Sequence, residues 1–330
     1  MLNEMPEILE SVNVGEKSLK VKNYYCGSGG DSFQLPNQFE YLAKPKIGLR
    51  LYVHVTDQCN AACQFCRRRT ETPTDSIVDP YQFERKLAII APHVSSIAFT
   101  GGEPLIYPEL TDKLIGIASS MLDSETEIDL VTNGSNLDRL MRFKNIDRIT
   151  SAHISRHRAN DVDNNSLFSI RTATASELSE AIQRLNDPGK IVLNCVMQSG
   201  GVKTESDVAD YLDFAISIGV KNTSFIGMFK ANQYCIDHYV NPWNLSFFSE
   251  HGLEKWNEDH PDRRIEIWNR HADHDWCKCL TGSYENSKGK TRFYFRGPGN
   301  APKPHYCRQF VYTSDNQVKD GFGPYRQVLL

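Results

Sequence analysis

From Leu49 onward, the chain alternates short runs rich in β-branched residues with longer stretches in which apolar residues recur at helical spacing. The short runs predict strands at residues 49–55, 94–99, 126–132, 147–154, 190–197 and 221–227. The longer stretches predict helices at residues 109–122, 175–186 and 205–218. Strands separated by helices pair in parallel through right-handed crossovers. The pattern therefore predicts an α/β fold, a curved and partly open β/α barrel with its chemistry at the carboxyl ends of the strands.

Two of the predicted helices carry capping residues at their ends. Thr174 followed by Glu177 predicts a capping box at the start of one helix. Thr204 precedes another helix, and Gly219 follows it at a position suited to a left-handed cap. Both helices are therefore bounded by local signals as well as by their apolar stripes.

The alternating pattern occupies only the middle of the chain. Residues 1–45 are irregular and form an N-terminal extension, and residues 46–230 hold the predicted barrel. Past residue 230 the alternation is lost, and the segment contains all four tryptophans. We expect residues 231–330 to be a C-terminal extension that closes the open side of the barrel and shapes a substrate cavity.

Composition narrows the class of protein without changing this architecture. With 330 residues, of which 40% are hydrophobic and 24% charged, the chain resembles an ordinary globular protein. A net charge of −4 gives no reason to expect nucleic acid as a partner. No run is long and apolar enough to span a bilayer, and no signal peptide is visible. Nine cysteines outside any disulfide framework favour a reducing compartment, so we expect a cytoplasmic protein.

Cys59, Cys63 and Cys66 lie on one short loop after the first predicted strand, at the spacing C-x3-C-x2-C. Thiolates so close in sequence can point at one centre, and they suit a cubane iron–sulfur cluster. A cubane has four irons, so three cysteine ligands leave one iron open. A structural zinc site would instead show paired C-x2-C units or a fourth protein ligand, and it is the alternative that the triplet alone leaves open.

A second motif follows the next predicted strand. Residues 100–104 have the sequence TGGEP, and glycines at such a turn permit close backbone approach. CxxxCxxC after one strand and GGEP after the next resemble the pattern of the radical S-adenosylmethionine (radical SAM) superfamily, over roughly residues 46–230. The resemblance implies a (βα)6 partial barrel of the radical SAM type.

The resemblance also implies cofactors and a reaction. A 4Fe–4S cluster held by the three cysteines would bind S-adenosylmethionine (SAM) at its open iron. One-electron reduction would split SAM, and the resulting 5′-deoxyadenosyl radical would remove hydrogen from a substrate C–H bond. The implied partners are a small-molecule substrate and a reducing electron donor such as flavodoxin or ferredoxin.

Several residues match positions that contact SAM in the superfamily. Phe65, between the second and third cysteines, matches the aromatic position that packs on adenine. Gly101 and Gly102 match the stretch that receives the methionyl amine, and Glu103 shapes that loop. Later strand ends supply the other matches, which are Asn133, Ser155, Arg156, Asn194 and Val196. For Asn133, a turn-forming role before a glycine is the alternative.

Arg156, His157 and Arg158 form the densest cationic group expected to face the cavity. Such a group can bind a phosphate or carboxylate of the substrate. A surface-facing arginine cluster is the alternative.

The C-terminal extension contains Cys277, Cys279 and Cys307, close behind His271 and His274. Some radical SAM enzymes hold an auxiliary cluster with cysteines in this part of the chain. An auxiliary cluster, a zinc site that includes one of the histidines, and unligated thiols all stay open here. Cys195 and Cys235 fall in or after predicted strands and are expected to be buried small hydrophobic residues.

These observations predict a radical SAM enzyme that acts on a small polar metabolite, such as a sugar, a nucleotide or a specialised-metabolite precursor. One alternative is a peptide-modifying radical SAM maturase, disfavoured because neither a peptide-recognition domain nor a cysteine-rich auxiliary domain is evident. A zinc-stabilised binding protein without redox chemistry is the alternative from another class. No residue is assigned as a catalytic acid, base or radical carrier by the sequence.

Overall fold

A computed structural model describes residues 8–23, 49–66, 74–185, 187–274, 277–296, 309–322 and 326–330. The strands are β1 Ile8–Val14, β2 Lys17–Asn23, β3 Leu49–His54, β4 Val94–Thr100, β5 Glu127–Thr132, β6 Ser151–Ser155, β7 Ile191–Met197, β8 Asn222–Gly227, β9 Arg263–His274, β10 Cys277–Asn286, β11 Gly289–Arg296, β12 Gln309–Tyr312 and β13 Val318–Lys319. The α-helices are α1 Pro80–Ile90, α2 Pro108–Met121, α3 Leu137–Leu140, α4 Asp161–Phe168, α5 Ala175–Arg184, α6 Glu205–Ser217, α7 Gln233–Asp237 and α8 Glu250–Asp259.

One eleven-stranded sheet forms the centre of the molecule, in the order β13-β12-β3-β4-β5-β6-β7-β8-β11-β10-β9. Strands β3 to β8 lie in chain order and pair in parallel. A helix packs between most successive strands, as right-handed parallel connections require. The α/β fold class and the partial-barrel architecture predicted from the sequence are confirmed.

The helices that can be placed by ring contacts cover one face of this sheet. Phe83 of α1 packs against Phe99 of β4, and Tyr211 of α6 packs against Phe225 of β8. The strand register puts Phe99 and Phe225 on the same face. Helices on a single face are typical of a barrel, whereas a doubly wound sheet has helices on both faces. We call the opposite face of the sheet the inner face.

The C-terminal region adds strands to both edges of the barrel sheet. Strand β11 pairs in parallel with β8, and β12 pairs in parallel with β3. These additions cover backbone groups that an edge strand would leave unpaired. These added strands were not predicted, because the sequence analysis recognised strands by their alternation with helices, and β11 and β12 are not separated from the other C-terminal strands by helices.

One predicted strand is shorter than expected. Residues 146–148 form a 3-10 turn, and β6 begins only at Ser151. The turn is held because Asn145 donates its backbone N–H and its side-chain amide to Asp112 of α2. Residues 147 and 148, the first two of the predicted strand 147–154, belong to this turn, so the strand was predicted to begin too early.

The predicted helix ends are confirmed. Thr174 and Glu177 form a capping box at the start of α5, and Thr204 forms a similar box with Asp207 at the start of α6. Gly219 has a φ of +86°, the left-handed conformation that favours glycine after a helix. No helix in the described ranges is both long and apolar enough to cross a bilayer.

Candidate functional site

The loop with three cysteines leaves the carboxyl end of β3 and is tied to later parts of the chain. The backbone N–H of Ala62 donates to the carbonyl of Phe168 at the end of α4, at 2.9 Å. The side chain of Asn232, at the start of α7, donates to the carbonyl of Gln64 at 3.0 Å. The loop conformation is therefore set by segments distant in sequence, which include the C-terminal region.

Gly101 and Gly102 pack directly against the start of the cysteine loop. A Cβ at Gly102 would lie 1.8 Å from the carbonyl oxygen of Gln58, so no other residue fits. Gly101 has a φ of +126°, and a Cβ there would lie 2.6 Å from the carbonyl oxygen of Thr56. The backbone N–H of Gly102 donates to the carbonyl of Thr56 at 2.8 Å. This glycine pair thus allows close contact between two backbones.

Glu103 is buried, with 1% of its surface exposed, and its carboxylate is fully used inside the protein. It accepts hydrogen bonds from the backbone N–H of Leu105 at 3.0 Å, the Thr132 hydroxyl at 2.6 Å and the backbone N–H of Asn133 at 2.7 Å. Burial raises the pKa of this carboxyl, while the three donors oppose that rise. Glu103 therefore links the ends of β4 and β5, and the expectation that it shapes its loop matches this placement.

Asn133 joins the end of β5 to the cysteine loop. Its amide nitrogen donates to the side-chain oxygen of Asn60 at 2.9 Å. Its side-chain oxygen accepts the backbone N–H of Ser135 at 2.9 Å, which is the turn predicted from the Asn-Gly sequence. The same amide also lies close enough to the Cys59 thiol to lower its pKa. The turn-forming and site-facing interpretations of Asn133 are thus both compatible with the structure.

The three cysteines have different surroundings. Cys59 is exposed, Cys63 is buried and Cys66 is intermediate. Although Cys59 as a whole is exposed, the surrounding protein partly desolvates its sulfur and so raises the pKa of the thiol, and the nearby charges of Glu103 and Cys66 add to the rise. The backbone N–H of Ala61 donates to the Cys59 sulfur at 3.4 Å and favours the thiolate. A positively charged metal centre is the natural partner that would hold these thiols as thiolates.

A profile of the radical SAM superfamily matches residues 53–215, which span the cysteine loop and most of the carboxyl edge of the barrel. The chain belongs to the radical SAM superfamily. The family resemblance inferred from the two motifs is therefore confirmed, and the chain is an enzyme of that superfamily.

Curated relatives match part of this radical SAM chain. The GTP 3′,8-cyclase of Mycolicibacterium smegmatis is 31% identical over 121 residues, which are 32% of this chain and 33% of the relative. Molybdenum cofactor biosynthesis protein 1 of Mus musculus is 27% identical over 168 residues, 49% of this chain and 26% of the relative. The chain therefore spans about a third or less of the length of these relatives.

Solved radical SAM structures share the fold over most of the chain. SuiB of Streptococcus suis, bound to S-adenosylmethionine, superposes with a TM-score of 0.55 at 13% identity, covering 88% of this chain and 65% of SuiB. The enzyme anSMEcpe with bound AdoMet superposes with a TM-score of 0.52 at 15% identity, covering 84% of this chain and 77% of that one. At such identities the likeness establishes the fold alone.

The cofactors of the superfamily are a 4Fe–4S cluster and SAM, and the loop suits a cluster better than a single ion. Within the described ranges, no three or more His, Cys, Asp or Glu residues are grouped so that they could hold a metal ion. A cubane does not need such convergence, because each of its thiolate ligands binds a different iron. Cys59, Cys63 and Cys66 are thus the residues that would hold the cluster of this radical SAM domain.

Arg156 lies in a different environment from the one expected of a SAM or substrate contact. Its side chain is 1% exposed, and its guanidinium donates to the carbonyls of Ala173 and Ala159 and to the Asp161 carboxylate at 2.5 Å. It also lies over the ring of Phe214, at 4.7 Å from the centroid. Because these partners come from the chain itself, Arg156 anchors the segment after β6, which corrects its expected place in the cavity.

His157 is buried between two aromatic rings. Its ring stacks on Phe168 at 5.0 Å and meets the edge of Phe65 at 4.9 Å. Its Nδ1 accepts the backbone N–H of Val196 at 3.0 Å, so the neutral ring carries its proton on Nε2. Burial lowers the pKa of His157 to about 3. His157 therefore supplies no positive charge at neutral pH, and it packs behind Phe65 on the cysteine loop.

Two further residues predicted to contact SAM, Ser155 and Val196, lie on the inner face near the carboxyl edge. Ser155 ends β6, and Val196 lies near the end of β7. The register pairs Ser155 with Asn194, so both side chains share one face. Their proximity to SAM stays a prediction.

The predicted C-terminal metal residues are described only in part. The backbone of β9 and β10 pairs Cys277 with His274 and Cys279 with His271. Cys307 lies outside the described residues. A second metal site in this region stays a prediction. Cys195 and Cys235 are buried free thiols, as expected.

A chain of buried polar side chains on the inner face was not predicted. Arg50 donates to Asp129 at 2.7 Å, and the Ser151 hydroxyl lies 2.5 Å from the other Asp129 oxygen. The same hydroxyl lies 2.8 Å from His153 Nε2, and His153 Nδ1 lies 3.2 Å from the Asn194 side-chain oxygen. Polar residues alternating with apolar ones in the predicted strands were the signal that could have revealed it.

Proposed function

We propose that this enzyme reductively cleaves SAM at a 4Fe–4S cluster and uses the radical that is formed to abstract hydrogen from a small polar metabolite. When bound, the cluster and SAM supply the electron transfer and the radical. The observation that carries the proposal is the loop with Cys59, Cys63 and Cys66, braced at the carboxyl edge by the backbone of Gly101 and Gly102.

The residues of the chain would bind and orient these groups. The three cysteines would hold the cluster, and the close contact of Gly102 with Gln58 keeps their loop against β4. Phe65, backed by the ring of His157, offers an aromatic surface for the adenine. Rigid placement of reacting groups is the main contribution that a protein can make to such a step.

The inner face favours a polar substrate. The register pairs Tyr294 of β11 with Ser224 of β8, and Ser224 with Asn194 of β7. The three side chains therefore lie side by side on the inner face. Arg296 lies two residues beyond Tyr294 on that face, toward the carboxyl edge, whereas Arg292 lies at the amino end of the sheet near Asp187. Polar side chains such as Tyr294, Ser224 and Asn194 on this face suit a polar metabolite better than an apolar one. Relatives named GTP 3′,8-cyclase agree with this polarity.

The cysteine assignment is tested by single alanine variants of Cys59, Cys63 and Cys66, loaded anaerobically with iron and sulfide and then reduced. We expect each variant to lose 5′-deoxyadenosine formation from SAM and to bind less iron, because each thiolate holds one iron of the cluster. Cys195→Ala is the matched control, since Cys195 is a buried thiol outside the loop, and it should keep both properties. SAM cleavage that survives loss of a loop cysteine would disprove the proposal.

The substrate class is tested by hydrogen transfer into 5′-deoxyadenosine. Deuterated nucleotides, phosphorylated sugars and peptides are offered separately to the reduced holoenzyme, with mass analysis of the nucleoside product. Deuterium from a nucleotide or sugar supports the metabolite proposal. Deuterium from a peptide alone would identify a peptide-modifying enzyme and refute it. A chemical reductant supplies the electrons in this assay. We propose that a flavodoxin or ferredoxin is the natural electron donor.

A further inference from the structure

Arg158 is a cation for which the described residues supply no counter-ion. It follows β6 and is partly buried, yet its guanidinium forms no hydrogen bond or ion pair with any residue that the structure describes. Two buried arginines of the barrel differ: Arg50 pairs with Asp129, and Arg156 pairs with Asp161. The nitrogens of Arg158 are not among the fully buried atoms that lack a partner, so its guanidinium reaches solvent and is open to an oxyanion ligand.

Gln198, the residue after β7, supplies a second hydrogen-bond donor that lacks a partner among the described residues. Its side chain is fully buried, and its oxygen accepts the Tyr234 hydroxyl at 2.8 Å. Its amide nitrogen has no hydrogen-bond partner within the described part of the chain. A buried amide left unpaired is unfavourable, and a ligand that accepts its hydrogen bond would remove that cost.

Gly201 brings the two donors together. A Cβ at this position would lie 2.4 Å from one terminal nitrogen of Arg158 and 3.2 Å from Cγ of Gln198. The Arg158 guanidinium and the side chain of Gln198 therefore lie next to each other at the turn after β7. The turn itself is fixed, because the backbone N–H of Gly201 donates to the carbonyl of Gln198 at 2.7 Å. With a side chain at this position, the guanidinium would have to move away from the turn.

Three neighbours of Arg158 are neutral at neutral pH. Its charge acts on His157, Cys195 and Tyr234. Burial lowers the pKa of His157 and raises the pKa values of the Cys195 thiol and the Tyr234 phenol, so none of the three is ionised at neutral pH. These three groups therefore do not compensate the positive charge of Arg158.

We propose that Arg158 and Gln198, which lie next to each other beside Gly201, bind one oxyanion group of the substrate, a phosphate or a carboxylate. The planar guanidinium donates two parallel hydrogen bonds to such a group, and the amide adds a third donor. The site lies at the carboxyl ends of β6 and β7, beside the His157 ring that backs Phe65. Because the ligand is taken to be the substrate, this inference rests on the proposed function.

Anion binding is measured on the full chain without cluster or SAM, by titrating inorganic phosphate and, separately, acetate, with chloride at equal ionic strength as the reference. Binding to the folded state raises the unfolding temperature in a saturable way. We expect saturation for at least one anion, and the tighter one identifies the group. No saturable effect beyond chloride would overturn the proposal.

Three variants locate the bound anion. Arg158→Gln should weaken the apparent affinity at least about tenfold, the usual size of a lost charge-assisted pair. Gln198→Glu keeps the acceptor for Tyr234 and gives Arg158 an internal carboxylate, so it should abolish anion binding while the protein stays folded. Arg142→Gln is the control, because Arg142 is a surface arginine with a side chain 78% exposed, and it should bind as the wild type does. Wild-type affinity in Gln198→Glu would overturn the assignment.

SAM also carries a carboxylate, so its binding is measured on the iron-loaded protein. We expect Arg158→Gln to leave the SAM dissociation constant within about twofold, because the proposed ligand is the substrate. A tenfold weaker SAM affinity would assign the arginine to SAM and refute the substrate site. A failure of SAM cleavage in the wild type would count against the proposed function, while leaving the phosphate and acetate titrations unaffected.

Discussion

Two regions of the carboxyl edge both contain buried or partly buried polar side chains, but they differ in whether those side chains have hydrogen-bond partners. In the region where β4 and β5 end, the buried carboxylate of Glu103 is satisfied by three donors of the chain itself. In the region where β6 and β7 end, Arg158 and the amide nitrogen of Gln198 have no partner among the described residues. Glu103, with all its hydrogen bonds made inside the protein, serves the structure of the loop. The unpaired donors of Arg158 and Gln198 are the ones that we propose a ligand completes.

The first region also explains why two glycines precede Glu103. They allow the backbone of β4 to contact the start of the cysteine loop, so the loop position is transmitted by main-chain atoms. Main-chain contacts do not depend on side-chain rotamers, and they hold the three thiols reproducibly. The second region uses glycine differently, since Gly201 leaves room for a charged side chain.

The largest expected effect comes from Gly102→Ala. The new methyl would overlap the carbonyl of Gln58, at 1.8 Å, so the loop or β4 must move. We expect a loss of about 4 kcal/mol in the free energy of unfolding, as for other severe backbone clashes, together with less iron per chain. Urea unfolding and iron analysis measure these two quantities.

Gly116→Ala is the control for that substitution. Gly116 lies inside α2, where the atoms nearest to a Cβ belong to the Asn145 side chain, at 3.1 Å, and need to shift by only a few tenths of an ångström. Alanine also favours a helix by up to about 1 kcal/mol over glycine, which offsets that shift. Its unfolding midpoint should stay near the wild-type value. If Gly102→Ala behaved like this control, the close backbone contact would not be what holds the loop.

A smaller effect distinguishes two arginines that are two residues apart. Arg156→Gln removes an ion pair and leaves the carbonyls of Ala173 and Ala159 without their donor, so it should cost about 3 kcal/mol. Arg158→Gln removes no internal bond and should cost less than about 1 kcal/mol. Urea unfolding of both variants measures the difference. Equal losses would show that Arg158 is part of the scaffold, contrary to the comparison.

The smallest effect is a pH dependence that arises from His157. Its pKa in the folded protein is about 3, below the ordinary value of 6.5, so between these values the unfolded chain binds a proton that the folded protein does not. Stability from this group is therefore complete above pH 6.5 and is lost as the pH falls. Between pH 7 and pH 5 we expect a loss of about 2 kcal/mol from this histidine alone.

His157→Phe tests this contribution, because phenylalanine keeps the ring stacked between Phe65 and Phe168 but cannot take up a proton. Unfolding free energies at pH 7 and pH 5 should differ less in the variant than in the wild type, by the same 2 kcal/mol or so. The exposed His251 provides His251→Phe as the control, which should leave the wild-type difference unchanged. An unchanged pH difference in His157→Phe would contradict the buried neutral ring.

The family and the fold were determined by the sequence alone. Local patterns suffice for this, because strand and helix periodicities, capping pairs such as Thr174 with Glu177, and three cysteines on one loop each act over a few residues. The tertiary structure decided what those patterns could not contain. Arg156 and Arg158 look alike in the chain, yet one is surrounded by carbonyls and a carboxylate while the other is unpaired. Their partners lie in other loops, and only the folded arrangement of those loops sets which charge is satisfied.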